Sequence, residues 1–89
     1  MIWSIEFERE AEKEIRRLDR QVALRIVRFL RERVAVLENP RSIGEALVGP
    51  TLGDYWKYRV GDYRIIVDIQ DARLRVLVVR IGNRREVYR

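Results

Sequence analysis

Apolar residues recur along the chain with two different periods, and the change of period divides it. Residues 2–7, Ile-Trp-Ser-Ile-Glu-Phe, are rich in β-branched and aromatic side chains and predict a short first strand. From Phe7 the spacing becomes helical. Phe7, Ala11, Ile15 and Leu18 fall on one face, with Glu and Arg between them. Glu8, Glu10 and Glu12 crowd the start of this segment, where negative charge suits the helix dipole. Asp19 then stands as the expected N-cap of a second helix. In that helix Val22, Ile26, Phe29, Leu30, Val34 and Leu37 form an apolar stripe. Arg25, Arg28, Arg31 and Glu32 lie off it, as a solvated face. Asn39-Pro40 is expected to stop the helix. The pattern predicts a helical hairpin over residues 8–18 and 20–37.

Residues 38–53 carry Pro40, Gly44, Gly49, Pro50 and Gly53 and predict the longest irregular stretch. Ile43, Leu47 and Leu52 are placed to hold it to the core. From Tyr55 onward the period is two. Residues 55–60 and 63–69 read as strands joined by a two-residue turn, Gly61-Asp62, in which glycine supplies a positive φ. Residues 74–81 read as a third strand, ended by Gly82. The expected fold is one α/β (α+β) domain over residues 1–89, in the order β-α-α-β-β-β, with an antiparallel sheet packed on the helical hairpin.

The two-residue turn sets a register. Val60 falls opposite Tyr63, Arg59 opposite Arg64, Tyr58 opposite Ile65, Lys57 opposite Ile66, Trp56 opposite Val67 and Tyr55 opposite Asp68. Side chains alternate between faces. Trp56, Tyr58, Val60, Tyr63, Ile65, Val67 and Ile69 are therefore expected to face the core. Tyr55, Lys57, Arg59, Arg64, Ile66 and Asp68 share the other face. There Arg59 opposes Arg64, an arrangement unfavourable by roughly half a kcal/mol, and Lys57 adds a third positive charge. Either nearby Asp54, Asp62 or Asp68 neutralises the group, or the long side chains splay into water, or the face is a preformed anion site. Arginine's rigid fork of donors suits phosphate.

Composition narrows the chemistry. The chain has 89 residues and neither cysteine nor histidine. Disulfides, thiolate or imidazole metal sites and His-dependent nucleophilic catalysis are all excluded. No cofactor is expected. No apolar run approaches the roughly 20 residues that span a bilayer, and the N-terminal residues do not resemble a signal peptide. A cytoplasmic protein with no membrane partner is expected. The net charge is +5 with a sequence pI near 10.2. The excess is uneven: residues 1–45 carry a net +1, and residues 46–89 a net +4 together with all four tyrosines. A basic, tyrosine-rich half points to a polyanion such as nucleic acid. At the C-terminus Arg84 and Arg85 are followed by Tyr88, a combination able to hold phosphate while stacking a base.

These residues carry a family resemblance. The run Trp56-Lys-Tyr-Arg-Val-Gly-Asp-Tyr-Arg-Ile-Ile66, followed in order by Ile81-Gly-Asn-Arg-Arg-Glu-Val-Tyr88, resembles the RelE/ParE superfamily of toxins from bacterial and archaeal type II toxin–antitoxin systems. The resemblance is to the RelE-like branch and extends over nearly the whole chain. It implies a ribosome-dependent, metal-independent endoribonuclease (an mRNA interferase) that cleaves mRNA by attack of a ribose 2′-hydroxyl on the adjacent phosphate. By the same resemblance, Arg64 stabilises the pentacovalent phosphate and Arg84 assists the leaving 5′-oxygen. Tyr88 stacks on the substrate base, Lys57 matches one of two strand lysines, Tyr55 stands in place of the other, and Arg59 supplies the missing charge. Arg85 adds to substrate binding. Val67 stands where the family often has tyrosine, and Asn83 where many relatives have histidine.

The resemblance also implies a cognate antitoxin, RelB-like, which reaches operator DNA where this chain does so only indirectly. Two other functions share the resemblance: a ParE-like inhibitor of DNA gyrase, and a catalytically inactive relative that only binds its antitoxin. Arg64, Arg84 and Tyr88 together favour the nuclease.

Overall fold

The structure is a computed structural model that describes residues 2–47 and 53–83. Strand β1 (Ser4–Phe7) leads into helix α1 (Arg9–Arg17) and helix α2 (Arg20–Phe29). A two-residue strand β2 (Glu45–Ala46) follows, and then β3 (Trp56–Val60), β4 (Tyr63–Gln70) and β5 (Arg75–Asn83). The sheet order is β1-β5-β4-β3-β2.

The expected meander is present: β3 pairs antiparallel with β4, and β4 with β5. Two features change the expected sheet. First, β1 lies parallel to β5, with Ser4 opposite Arg75 and Phe7 opposite Val78, so the sheet is mixed rather than antiparallel. The helices carry the chain from β1 to β2 at the opposite edge of the sheet, and the meander brings it back to β5, the long connection that a parallel neighbour needs. Second, the segment expected to be irregular contributes β2, whose Glu45 and Ala46 pair with Lys57 and Trp56 on the outer edge of β3. Gly82, expected to end the last strand, lies inside β5 opposite Arg64.

The first helix forms as its acidic start anticipates. Asp19 caps α2 by accepting a hydrogen bond from the Gln21 N–H at 3.0 Å. The second helix is not continuous to residue 37. It passes into a π-helical turn over Leu30–Val34, in which the Ala35 N–H reaches back to the Leu30 carbonyl at 2.9 Å. The wider turn lets Leu30, Val34 and Ala35 all be buried. It also sets the Ala35 carbonyl to accept from the Trp3 N–H at 2.8 Å, which ties the helical layer to the start of β1. Asn39-Pro40 acts downstream of the helix: the Asn39 side chain caps a 3-10 turn over Pro40–Ile43.

The core lies between the helices and one face of the sheet. It contains Trp3, Ala11, Ile26, Leu30, Val34, Tyr58, Val60, Ile65, Val67, Val76, Val78 and Ile81. Along β3 and β4, Trp56, Tyr58, Val60, Tyr63, Ile65, Val67 and Ile69 face this core, as alternation predicts. The opposite face carries a second, smaller apolar cluster of Leu47, Ile66 and Val79 with Tyr55 and Leu77 against it. Past the end of β1 the exposed edge of β5 is served by α1: the Glu14 carboxylate accepts from the Ile81 N–H at 3.0 Å and pairs with Arg80 at 3.3 Å.

Tyr58 joins this core to the loop. Its hydroxyl donates to the Pro40 carbonyl at 2.5 Å, and its ring meets Phe29 edge-on at 5.7 Å. Burial pushes the phenol up to about 12, against an ordinary 10.0. The neutral phenol is thus favoured by folding. Its stabilisation is complete below pH 10 and is lost as pH rises through about 12. Tyr58→Phe should cost about 1–2 kcal/mol at neutral pH, because the Pro40 carbonyl loses its donor. The variant should also show a flatter decline of stability above pH 10 than the wild type. Urea midpoints measured across that range check both effects.

Arg41 ties the same loop to the β4–β5 turn. Its guanidinium grips Asp71 through two hydrogen bonds of 3.1 and 2.7 Å and lies 5.9 Å from the Trp56 ring centroid. The Arg41 hydrogen bond holds the Asp71 carboxyl below its ordinary value. These contacts hold the segment leading into β2 beside β3.

Candidate functional site

The hairpin register brings Lys57, Arg59 and Arg64 together. Arg59 is opposite Arg64, and Lys57 is opposite Ile66, one pleat further along the same face. Gly61 has φ +59 in the turn between the strands and is the only positive-φ residue there, as in a type II′ hairpin. The turn thus enforces the like-charge pairing. Among the described residues neither Arg59 nor Arg64 forms an ion pair. The expected alternative, neutralisation by aspartate, is not what these residues do. Asp68 instead accepts from Gln70 at 3.0 Å.

The burial of Arg64 is the feature that sequence patterning did not anticipate. The residue is only 4% exposed, the one buried charged residue among those described. It lies between two strands, with Arg59 across one ladder and side-chain-less Gly82 across the other. Its Nε is buried and, among the described residues, has no hydrogen-bond partner. A guanidinium does not shed its proton to escape this cost. An unmet buried donor costs about 1–3 kcal/mol, and more on a charged group. Such a group calls for a further partner, an ordered water or a bound anion.

Lys57 is mostly buried, and its Nζ lies 3.2 Å from a Glu45 carboxylate oxygen. That partner comes from β2, within the stretch whose prolines and glycines predict irregular structure, and no local signal links the two. Arg59 is exposed. Tyr55 is half-buried against the Ile66 and Val79 cluster, so its ring packs the open face of the sheet beside the cationic group. Arg84, Arg85 and Tyr88 lie outside the described residues. The strand that leads to them, β5, runs beside β4 and ends at Asn83, opposite Tyr63. Among the described residues no cluster of carboxylates, His or Cys is arranged to hold a metal ion. No helix among them is long and apolar enough to cross a membrane. What the geometry offers is a rigid, multiply cationic surface able to hold phosphate.

Comparison with known proteins bears on the family and the fold. A family profile described as the ParE toxin of the type II toxin–antitoxin system, parDE, matches residues 5–88. No curated protein matches the chain. Solved structures do. The RelBE2 toxin–antitoxin complex from Mycobacterium tuberculosis superposes with a TM-score of 0.83 at 20% identity, covering 93% of this chain and 92% of that one. A double arginine-to-alanine mutant of E. coli toxin RelE in the free state gives a TM-score of 0.77 at 28% identity, covering 99% and 90%. The intact E. coli RelBE toxin–antitoxin complex gives 0.72 at 29% identity, covering 91% and 95%. With the family profile spanning almost its whole length and RelE toxins sharing its fold, the chain belongs to the RelE/ParE superfamily of type II toxin–antitoxin toxins.

Proposed function

We propose that this toxin is a ribosome-dependent endoribonuclease of the RelE-like branch, cleaving mRNA without a metal ion. The observation that carries the reading is Arg64, buried in mid-sheet with an unmet donor and faced by a second arginine. A gyrase-binding surface has no need of a charged donor held in reserve inside a strand ladder. A group that stabilises charge growing on a phosphate does, because such a donor acts best when pre-positioned and sheltered from water. In the reaction a ribose 2′-hydroxyl attacks the adjacent phosphorus and the 5′-oxygen leaves. Arg64 and Arg59 neutralise the equatorial oxygens of the pentacovalent phosphate, and Arg84 stabilises the leaving oxygen. Lys57, on the same face as Arg59 and paired with Glu45 at 3.2 Å, is the candidate base. Tyr88 stacks the substrate base, with Arg85 and Tyr55 completing the substrate surface. The ribosome supplies orientation that so sparse a site lacks.

The toxin acts in the cytoplasm as one domain, held inactive by a cognate RelB-like antitoxin that mediates contact with operator DNA. RelB–RelE complexes among the similar structures support that partner. The second reading, gyrase inhibition, is favoured by the parDE description of the matching profile. A single pair of assays separates them. Purified chain added to ribosomes programmed with mRNA should yield fragments with 2′,3′-cyclic phosphate ends, while DNA supercoiling by gyrase is unaffected. Intact mRNA together with blocked supercoiling would transfer the chain to the gyrase reading. Inertness in both, with antitoxin binding retained, would identify the inactive relative.

A further inference from the structure

The cationic face does not end at Lys57 and Arg59. Strand β2 covers the outer edge of β3 only opposite Trp56 and Lys57, and leaves it without a strand neighbour from Tyr58 to Val60. At this gap the helical layer reaches the sheet edge. A cleft of about 360 Å³ opens there, lined by Phe29, Arg33, Ile43, Glu45, Lys57 and Arg59. It joins the open sheet face to the end of α2.

The lining has the chemistry of a nucleotide site. Phe29 forms an aromatic wall, held in place by its edge-on contact with Tyr58, whose hydroxyl is itself tied to Pro40. Ile43, 41% exposed, supplies an apolar surface beside it. The Arg33 guanidinium carbon lies 6.0 Å from the Phe29 ring centroid. Arg33 is exposed, so its side chain can swing from the ring to a phosphate. Three cations line the cleft and one carboxylate opposes them. That carboxylate, Glu45, is itself paired with Lys57, where an incoming phosphate would compete with it. A flat apolar wall beside mobile cations is how single-stranded nucleic acid is bound without sequence readout. The π-helical turn begins directly after Phe29 and contains Arg33, a departure from α-geometry of the kind that recurs at functional sites.

We propose that this cleft is a second RNA subsite, which binds the nucleotide flanking the scissile phosphate. The base lies on Phe29 and Ile43, and its phosphate lies between Arg33 and Arg59. The proposal rests on the mRNA reading above and extends the substrate path from the sheet face around the edge of β3 to the helical layer.

The test uses oligoribonucleotides that cannot react, with every 2′-hydroxyl methylated, titrated against the intact toxin and followed by fluorescence polarisation. Wild type should bind a tetranucleotide roughly tenfold more tightly than a dinucleotide, the worth of one added stacking and phosphate contact. Arg33→Ala should remove most of that length-dependent gain and make the salt dependence shallower by roughly 0.7 in log–log slope. Phe29→Leu, which keeps apolar bulk but no ring, should also remove most of it. Glu45→Gln should increase tetranucleotide affinity. Arg28→Ala, on the helix face, should keep the full gain. Arg33 is exposed, so its variant decides the matter even if Phe29→Leu lowers stability. A full length-dependent gain in Arg33→Ala, or no gain in wild type, overturns the subsite. Because binding is read without cleavage, failure of the nuclease reading appears separately, as intact mRNA in the ribosome assay.

Discussion

Arg64→Ala should reduce ribosome-dependent mRNA cleavage by roughly a hundredfold or more, the usual loss when one donor to a transition-state charge is removed. On the proposed mechanism, the charge it meets grows as the phosphorus becomes pentacovalent. Turnover should therefore fall far more than ribosome affinity. Arg64→Lys should recover only part of the activity. A lysine keeps the positive charge but replaces a planar fork with a single point donor. Arg84→Ala should show a comparable loss, and Tyr88→Phe should retain more activity than Tyr88→Ala if the ring stacks on a base. Arg28 offers the control. It sits on the exposed helix face in an i,i+4 pair with Glu32 at 3.6 Å, and Arg28→Ala should cleave as wild type does. Primer extension on a defined mRNA, with the variants checked for antitoxin binding, measures all of these. Full cleavage by the Arg64→Ala, Arg84→Ala double variant would remove both residues from the mechanism.

Arg64→Met should make the protein more stable while leaving it inactive. The native guanidinium is buried, its Nε is unpartnered, and a second arginine stands across the strand pair. Each of these opposes folding. Methionine fills much of the same volume, needs no hydrogen bond and relieves the repulsion. Replacing incompletely paired buried charge with apolar side chains gains about 1–3 kcal/mol in favourable cases. For a domain of this size each 1 kcal/mol is worth about 4–8 °C in Tm. A scanning calorimetry trace shifted upward, together with loss of cleavage, is the signature of a residue kept for chemistry at a cost to the fold. A clear drop in Tm would instead assign Arg64 a structural role and withdraw the main support for the nuclease reading. The two Arg64 experiments are independent, since one reads a rate and the other an equilibrium.

Much of the candidate site was legible in the chain before its structure. A two-residue turn with glycine first leaves one register for β3 and β4, and alternation then assigns each side chain to a face. Arg59 opposite Arg64, Lys57 on the same side, and Trp56, Tyr58, Ile65 and Val67 toward the helices all followed from interactions a few residues apart, and all are present. The Asp19 cap was equally local. Legibility fell where the partner is distant. The Lys57–Glu45 pair depends on a two-residue strand too short to have a period, formed because Arg41 and Tyr58 hold its loop against the sheet.

The sequence by itself determined β1, the starts of both helices, the three meander strands, the hairpin register and the clustering of cations, because caps, turns and periodicity act within one helix turn or one strand pair. Only the tertiary structure decided that β1 joins β5 in parallel, since both helices and the strands β2, β3 and β4 separate the two in sequence and no turn signal links them. Only it decided that α2 widens into a π-turn, where Leu30, Val34 and Ala35 are buried together. The burial of Arg64 belongs to the same class. Alternation placed the residue on the open face of the sheet, which by itself implies exposure. Burial to 4% is a property of the assembled chain, in which that face carries a second apolar cluster of residues from three separate segments. A side chain's face is set by its neighbours in sequence; its contact with water is set by everything that packs over that face.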